Sequence, residues 1–340
     1  MSIDSKNYTR VFGGPGMPFI TSYMFAYYYG DVNFLITWKN NLWTAFLKKE
    51  MLEQTLDDGL KFYSDDKQLN LFKNNYNKHY KESLPFFDQI VAKKELLIQE
   101  VEEFFKYAGD VLSLYVKCEF FYTDRAFEVA AKDSKLKSNL ADFDQLKNLG
   151  KEQIIKVFFD ANSYIFRLLK ILSQQFSVPF DDLVTYTPEE IILLFDANIV
   201  DFDVLEARKD FYILKSSQAG VEILTGAKYS TIIDQLVPKI KAINVFKGKV
   251  ANKAKVKGKV KLFNHGYQFD KVPKLIEEME QGDVLVTETT SPELMPACKK
   301  ASAIVTNEGG LLSHAAIVSR ELNIPCIVGA QGVTSVLRDG

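Results

Sequence analysis

The sequence predicts a multidomain protein, with an all-α domain over residues 1–235 followed by an α/β domain over residues 236–340. A chain of 340 residues is long enough for two domains, because single domains commonly have about 100 to 200 residues. Apolar residues recur at three- and four-residue steps in the first part, which is typical of helices. After about residue 240 they alternate with polar residues, which is typical of strands. The change of period near residue 235 predicts the domain boundary.

Helices in the first domain are predicted from four apolar patterns and one start signal. Thr187 and Pro188 have the order of an N-cap and a first helical residue, and two acids follow them. This region also holds nearly all of the 26 Phe and 16 Tyr residues. They are interpreted as core packing, with a hydrophobic acceptor pocket as the alternative. The four apolar patterns lie around residues 34–52, 96–105, 154–176 and 189–195.

A segment rich in Gly and Pro lies near the N-terminus, where residues 11–18 read VFGGPGMP. Three glycines and two prolines so close together predict a loop. This loop is either a structural arm or a ligand loop that cradles phosphate. The Gly-Lys-Ser/Thr ending of a P-loop is missing, so the structural arm is favoured.

The second domain begins with a lysine-rich pattern. Residues 253–262 alternate lysine with small or apolar residues, which predicts a strand. Nine lysines and no acid lie between residues 239 and 261. They form either an electropositive face beside a phosphate site or a solvated sheet face, and alternation alone accounts for the second. Further strands are predicted at residues 283–287, 303–305 and 326–328.

Composition excludes several classes of function. Lys plus Arg (42) nearly balance Asp plus Glu (44), so a nucleic-acid partner is not expected. No run approaches the roughly 18 apolar residues that cross a bilayer, so no membrane association is expected. The three cysteines lie far apart and form no C-x-x-C. They predict neither a disulfide framework nor a zinc site, and they favour a cytoplasmic location.

The sequence pattern that most clearly indicates a functional site surrounds His314. The sequence from Glu308 to His314 reads EGGLLSH and leads directly into an apolar-periodic helix. Ser313 is the predicted N-cap, which places His314 in the first helical turn. Of the other two histidines, His79 is predicted at the surface of a polar helix and His265 in a turn.

A histidine at this position has two interpretations. The first-turn N–H groups and the positive end of the helix dipole would hold a phosphate group well. The same field disfavours imidazolium, which predicts a neutral and nucleophilic His314. Gly309 and Gly310 would let a phosphate approach the backbone closely, and Ser313 would add a hydroxyl. The alternative is a histidine that only caps a helix, and the local pattern leaves both open.

A family resemblance extends this interpretation. Residues 304–329, IVTNEGGLLSHAAIVSRELNIPCIVG, closely resemble the phosphohistidine swivel domain of the PEP-utilising enzymes. That group includes phosphoenolpyruvate synthase, pyruvate phosphate dikinase and rifampicin phosphotransferase. Residues 282–287 and 290–296 are also similar to the family pattern. The resemblance implies that His314 takes a phosphoryl group from ATP at one site and that the domain swings to deliver it at another.

The resemblance is looser upstream. Residues 181–191 and 207–212 are similar to the helical region before the swivel domain in synthase-like and rifampicin-type members. In the rifampicin-type enzymes that region binds the phosphoryl acceptor, so the first domain is expected to bind an acceptor or to dock a partner. The linker at residues 234–245, which includes Pro238, is the expected hinge. The turn signal at residues 338–340 predicts a swivel domain that is incomplete at its C-terminus.

The nucleotide is expected outside this sequence, which has no ATP-grasp pattern and no acidic cluster suited to Mg²⁺. ATP and its Mg²⁺ would therefore be held by an ATP-grasp protein or by another part of the polypeptide, and the acceptor would be a small molecule. The favoured function is a phosphotransferase component, with His314 as carrier and Gly309, Gly310 and Ser313 around the phosphate. The alternatives are a non-catalytic phosphocarrier or regulatory protein controlled by phosphorylation of His314, and a pure interaction protein. Arg320, nearly two turns further on, is predicted to pair with an acid.

Overall fold

The chain is divided into two compact units, Met1–Val237 and Pro238–Gly340, called below the N-terminal unit and the C-terminal unit. None of the helices in the described part of the chain is long and apolar enough to cross a bilayer. Residues 238–244 of the expected hinge, including Pro238, and the predicted turn at His265 lie outside the described residues. The computed structural model describes residues 3–29, 34–121, 123–160, 162–237, 245–263, 271–311 and 313–340.

The N-terminal unit contains most of the helices, and those predicted around residues 96–105, 154–176 and 189–195 are confirmed. Residues Ile155–Phe159 form a π-helical turn, and short 3₁₀ turns lie at Ser5–Asn7 and Leu194–Asp196. The α-helices are α1 (Phe19–Tyr28), α2 (Lys49–Ser64), α3 (Asp66–Val91), α4 (Ile98–Phe120), α5 (Asp124–Ala130), α6 (Ser134–Ile154), α7 (Tyr164–Phe176), α8 (Phe180–Leu183), α9 (Pro188–Leu193), α10 (Phe202–Asp210) and α11 (Ala227–Leu236).

The expectation of an all-α N-terminal domain is wrong, because this unit also contains a five-stranded antiparallel sheet. Its strand order is β1-β3-β2-β4-β5, and every neighbouring pair is antiparallel. The strands are β1 (Tyr8–Pro15), β2 (Leu35–Lys39), β3 (Leu42–Lys48), β4 (Phe211–Ser217) and β5 (Gly220–Leu224).

The helix predicted around residues 34–52 is in fact the hairpin β2–β3 followed by the start of α2. Asn40 and Asn41 form its two-residue turn, and both have positive φ, as the tight primed turns of hairpins require. Most residues of the two strands are buried, including Leu35, Ile36 and the run 43–47. Strands buried on both faces lose the alternation that separates them from a helix in sequence.

The Gly- and Pro-rich segment is also corrected, because residues 11–15 belong to β1 rather than to a loop. This strand is at the edge of its sheet, a position that tolerates proline. Gly13 permits the close pairing with β3, since a Cβ there would lie 2.7 Å from the Trp43 carbonyl oxygen. Residues 16–18 lie outside any strand or helix, so the predicted loop is limited to the three residues between β1 and α1.

A buried ion pair joins two helices of the N-terminal unit. The guanidinium of Arg208 on α10 donates to both carboxylate oxygens of Glu190 on α9, each at 2.7 Å, and to the Thr185 carbonyl at 2.8 Å. Glu190 also accepts the N–H of Thr187, and the Thr187 hydroxyl accepts the N–H of Glu190, which closes a capping box. The predicted helix start at Thr187 and Pro188 is therefore confirmed.

The C-terminal unit has the α/β architecture that the sequence predicts. Its five-stranded sheet has the order β6-β10-β9-β8-β7, in which β7 to β10 are parallel and β6 is antiparallel to β10. The strands are β6 (Lys249–Asn252), β7 (Val260–Phe263), β8 (Val284–Thr287), β9 (Ala303–Thr306) and β10 (Cys326–Val328). The helices are α12 (Val272–Glu278), α13 (Met295–Lys300), α14 (His314–Glu321) and α15 (Val333–Val336).

The single strand predicted over residues 253–262 is wrong in extent. Strand β6 ends at Asn252, residues 253–259 are exposed and outside any strand, and β7 begins at Val260. The regular lysine alternation was therefore no guide to strand pairing. Lys261 is 8% exposed, and its ammonium donates to Glu278 at 3.0 Å and to Asp339 at 2.9 Å.

Candidate functional site

The carboxyl ends of β8 and β9 bring two loops together at one edge of the parallel sheet. The N–H of Asn307 donates to the Thr287 carbonyl, and the N–H of Glu308 donates to the Glu288 carbonyl, both at 2.9 Å. The two loops therefore continue the strand pairing for two residues beyond the sheet. Ligands of parallel α/β sheets bind at such carboxyl ends, so this edge is the natural place for a site.

His314 is the first residue of α14, as the sequence predicts. Ser313 is its N-cap, with an extended backbone, and its Oγ accepts the N–H of Ala316 at 3.4 Å. The imidazole therefore lies at the end of the helix where N–H groups point outward and the dipole is positive. A negatively charged group bound to this ring would be stabilised by both.

Thr290 holds the imidazole of His314. Its Oγ1 is 2.9 Å from Nδ1 of His314, and Thr290 is only 6% exposed in the loop after β8. This contact fixes the ring orientation and leaves Nε2 as the nitrogen on the opposite side of the ring. No role was predicted for Thr290, because it lies 24 positions from His314 and a contact over that distance has no local sequence signal. The run at residues 290–296, which resembles the family pattern, was the signal that could have found it.

The two glycines before the helix form a tight loop against Ser313. Gly309 has φ of +108°, and a Cβ there would lie 3.1 Å from the Ser313 Cβ. The Gly310 carbonyl accepts the N–H of Ser313 at 3.1 Å. Gly329 after β10 approaches the same loop, since its Cβ would lie 3.1 Å from the Gly309 carbonyl oxygen. The structure therefore brings Gly309, Gly310, Ser313 and His314 together at one loop.

A buried polar network supports this loop from behind. The side-chain amide of Asn307 donates to Glu288 at 2.7 Å, and its carbonyl accepts the N–H of Gly332 at 2.5 Å. The Thr334 hydroxyl donates to the other carboxylate oxygen of Glu288. Asn307 and Thr334 are 3% and 2% exposed. The network links the loops after β8, β9 and β10, and no local sequence pattern pointed to it.

Arg320 was predicted to pair with an acid, but it has no carboxylate partner among the residues that the structure describes. Its Nε donates to the Ala316 carbonyl at 2.9 Å, and its other guanidinium nitrogen donates to the Leu311 carbonyl. The side chain therefore ties the loop before α14 to the helix itself. Backbone carbonyls replaced the expected carboxylate because the loop folds back beside the first turn.

Two buried cysteines of the C-terminal unit are further groups that could act as nucleophiles. Burial raises the pKa of Cys298 to about 11 and also raises the pKa of Cys326, so both thiols are weak nucleophiles at neutral pH. Within the described ranges, no three His, Cys, Asp or Glu side chains are grouped so that they could hold a metal ion. The His314 imidazole is therefore the candidate nucleophile at this edge.

Comparison with known proteins places this site inside a family match. Residues 279–340 match the family model described as "PEP-utilising enzyme, mobile domain", which confirms the resemblance seen in the sequence. A probable phosphoenolpyruvate synthase of Archaeoglobus fulgidus is 57% identical over 67 residues, which are 20% of this chain and 9% of that protein. The phosphoenolpyruvate synthase of Pseudomonas aeruginosa is 38% identical over 123 residues, which are 36% of this chain and 15% of that protein.

A third relative, a probable phosphoenolpyruvate synthase of Methanothermobacter thermautotrophicus, is 45% identical over 93 residues, or 27% of this chain and 13% of its own length. The chain thus spans a small part of the curated relatives that it matches. The family match includes the positions of Thr290 and His314 and the loop between β9 and α14.

Proposed function

We propose that this chain is a phosphotransferase component that carries a phosphoryl group on His314. The observation that carries the proposal is the His314 imidazole at the N-terminus of α14, held through Nδ1 by Thr290. This geometry lies within the segment that matches the mobile domain of PEP-utilising enzymes. A histidine that only capped the helix would need neither a buried hydroxyl on its ring nor a glycine loop beside it.

The contact between Thr290 and Nδ1 determines which nitrogen of the His314 ring can attack phosphorus. For Nε2 to hold a lone pair, Nδ1 carries the proton and donates it to Oγ1 of Thr290. The Nε2 lone pair then attacks the phosphorus of the donor. A P–N bond forms, and the P–O bond to the leaving group breaks with its electron pair on that oxygen. In the second transfer an acceptor oxygen attacks phosphorus, and the P–N electron pair returns to the ring.

The groups around His314 are suited to binding and orienting a phosphoryl group. Phosphoryl transfer depends mostly on positioning and on stabilising charge at the phosphoryl oxygens. The N-terminal turn of α14 offers backbone N–H groups and its dipole, and Gly309 leaves room beside Ser313. The network of Glu288, Asn307 and Thr334 keeps that loop in place.

The phosphoryl donor and the phosphoryl acceptor would be bound outside the C-terminal unit. We propose that ATP with Mg²⁺ is held by an ATP-grasp protein or by another part of the polypeptide, and that the acceptor is a small molecule such as pyruvate. Two of the relatives are named phosphoenolpyruvate synthase or probable phosphoenolpyruvate synthase, which supports pyruvate as the acceptor. The N-terminal unit would then bind the acceptor or dock the partner.

The test is transfer of a phosphoryl group to the intact chain, followed by intact mass. With Mg-ATP and a cognate ATP-grasp protein, the chain should gain one acid-labile, base-stable phosphoryl group, whereas the chain alone with Mg-ATP should gain none. His314→Ala should abolish the gain, and His79→Asn, the matched control, should keep it. Labelling of the lone chain would contradict the partner requirement, and labelling of His314→Ala would contradict the assigned site.

A chase separates an enzyme component from a regulatory phosphocarrier. The labelled chain is freed of nucleotide and mixed with the acceptor candidate pyruvate and the complete partner system. Loss of the label into phosphoenolpyruvate supports the enzyme component. A label that stays on His314 in the presence of every candidate acceptor supports a carrier that acts through its phosphorylation state.

A further inference from the structure

A cavity of about 240 Å³ lies within the N-terminal unit, far along the chain from His314. Helices α1, α4 and α9 form its walls. The side chains that give it chemical character are three tyrosines, one phenylalanine and two glutamates: Tyr23, Tyr27, Tyr28, Phe105, Glu102 and Glu189. The cavity is therefore aromatic and carries carboxylates.

The three tyrosines of α1 form a fixed aromatic array. The Tyr23 and Tyr27 rings are stacked with centroids 6.4 Å apart, and the Tyr27 and Tyr28 rings meet edge to face at 5.1 Å. The Tyr28 ring lies against Gly109 of α4, where a Cβ would be only 1.9 Å from the Tyr28 Cζ. The missing side chain at Gly109 is what lets this ring turn into the helix interface.

The charge around this array is negative. The charged residues of the lining are two acids, Glu102 and Glu189, and one base, Lys106. Burial raises the pKa of Tyr23, and the nearby carboxylate of Glu189 raises it further. Burial raises the pKa of Tyr28 to about 12, with smaller contributions from Tyr27, Asp110 and Glu189. The phenols therefore stay neutral, and the lining carries two exposed carboxylates against one exposed ammonium, so its net charge is negative.

We propose that this cavity binds an organic cation, an ammonium or quaternary ammonium group carried on an apolar body. The faces of aromatic rings attract cations, and quaternary ammonium groups are recognised by such rings. The two carboxylates supply the counter-charge, while Phe105 and the ring faces supply apolar contact. Anions are disfavoured by the same carboxylates. This site is independent of phosphoryl transfer at His314.

The test compares two probes of the same shape by isothermal titration calorimetry on the full chain. Choline carries a quaternary ammonium group, and 3,3-dimethyl-1-butanol replaces its nitrogen by carbon without charge. Choline should bind at least about tenfold more tightly, equivalent to about 1.4 kcal/mol, and its affinity should fall as salt is added. Equal or tighter binding of the alcohol, or no choline binding at millimolar concentration, would overturn the proposal.

Matched variants locate the binding. Tyr27 is 49% exposed, so Tyr27→Leu should keep the fold while it removes one ring face, and Tyr27→Phe keeps the ring. Glu102 and Glu103 are both exposed on α4, but only Glu102 lines the cavity, so Glu102→Gln removes a lining charge and Glu103→Gln is its control. Choline affinity should fall about fivefold in Tyr27→Leu and Glu102→Gln and stay unchanged in the two controls. Equal affinities in each variant and its control would reject this cavity as the site.

Discussion

The two five-stranded sheets of this protein are assembled in opposite ways. In the antiparallel sheet, β2 pairs with β4, and the Ser216 hydroxyl reaches the Phe34 carbonyl 182 residues away. In the parallel sheet, β8 and β9 are neighbours both in sequence and in space, with α13 between them. The parallel sheet presents the carboxyl ends of its strands to loops that carry Thr290 and His314. All four residues predicted for the site belong to this second unit.

The antiparallel sheet thus joins distant parts of its unit, whereas the parallel sheet brings together the loops that hold the candidate site. The antiparallel sheet joins the two ends of the N-terminal unit around its helices. In the parallel sheet, β7, β8 and β9 follow one another both in the chain and in the sheet, and the loops after β8 and β9 meet at the carboxyl ends of these strands. Since Trp38 and Trp43, the two tryptophans of the chain, lie in β2 and β3, their fluorescence reports unfolding of the N-terminal unit alone. Amide hydrogen exchange followed by mass spectrometry reports on both units.

The largest effect is expected from Arg208→Ala. This guanidinium is 5% exposed and is bonded to Glu190 and Thr185, so its loss leaves a carboxylate without its buried partner. Removing one member of a fully buried pair costs about 3 to 5 kcal/mol, and because the Glu190 side chain is 23% exposed we expect a loss at the lower end, about 3 kcal/mol. Urea titration of tryptophan fluorescence should show that loss, and amide exchange in the C-terminal unit should not change.

The matched control for this variant is Arg125→Ala. Arg125 also contacts two acids, Glu53 and Asp57, but at the surface, where such pairs contribute about 0 to 1 kcal/mol. Faster exchange throughout the C-terminal unit of Arg208→Ala would show that the two sheets do not fold independently.

A smaller effect is expected from Gly309→Ala in the parallel-sheet unit. A side chain at a left-handed φ costs about 1 to 2 kcal/mol, and here the Cβ would also press on Ser313. Gly282→Ala is the control, because Gly282 has φ of +95° but open space around its Cβ position. Both variants should destabilise the C-terminal unit in amide exchange, and only Gly309→Ala should slow phosphoryl labelling. Equal labelling rates would show that the glycine loop does not shape the phosphate site.

Thr290→Val should slow phosphoryl labelling of His314 without unfolding the unit. The variant keeps the shape of the side chain but loses the bond to Nδ1, and one such bond is worth about 0.5 to 1.5 kcal/mol, or up to about tenfold in rate. Thr290→Ser, which keeps the hydroxyl, should label nearly as fast as the wild type. The rate is measured by quenched intact mass, and a Thr290→Val rate equal to that of Thr290→Ser would remove the positioning role.

The smallest effect concerns pH and acts on the other unit. His79 was predicted at the surface, but it is half-buried, with its ring stacked on Tyr107 at 5.7 Å. Both of its ring nitrogens are buried, and neither has a hydrogen-bond partner among the described residues. Burial lowers its pKa below the usual value, although Asp110 and Glu82 oppose the shift. The unfolded chain therefore binds a proton first as pH falls through about 6.5.

Neutral, half-buried His79 makes its full contribution to the free energy of unfolding of the N-terminal unit above about pH 6.5. That contribution is lost as the pH falls toward the pKa of His79 in the folded state. His79→Phe keeps a ring against Tyr107 and removes the titration. Its urea midpoint, followed by tryptophan fluorescence, should fall less than that of the wild type between about pH 7.5 and pH 5.5. Parallel losses in the two proteins would exclude a contribution from His79.

Local signals predicted what lies close together in sequence. The start of α9 at Thr187, the start of α14 after Ser313 and the strand at Cys326–Val328 were all visible, because caps and breaks act within a few residues. The hairpin β2–β3 was mistaken for a helix because burial on both faces hides the period of a strand.

Contacts across long separations had no such signal. Strand β4 was not predicted, and its pairing with β2 depends on a partner near the other end of the unit. At the site, Gly309, Gly310, Ser313 and His314 were found from one contiguous run. Their supports, Thr290 and Glu288, come from a different strand end and reach the loop only after the parallel sheet has formed.

The wide separation of β2 and β4 has a consequence during synthesis of the chain. Ribosomes add about 5 to 20 residues per second. The 182 residues between Phe34 and Ser216 therefore take roughly 10 to 40 seconds to emerge. During that interval the edge of β2 that β4 will cover is an unpaired strand on a nascent polypeptide, which is the kind of edge that pairs with other chains. The N-terminal hairpin thus depends on the order and speed of translation more than the pair β8 and β9 of the C-terminal sheet, whose strands follow each other directly in the chain.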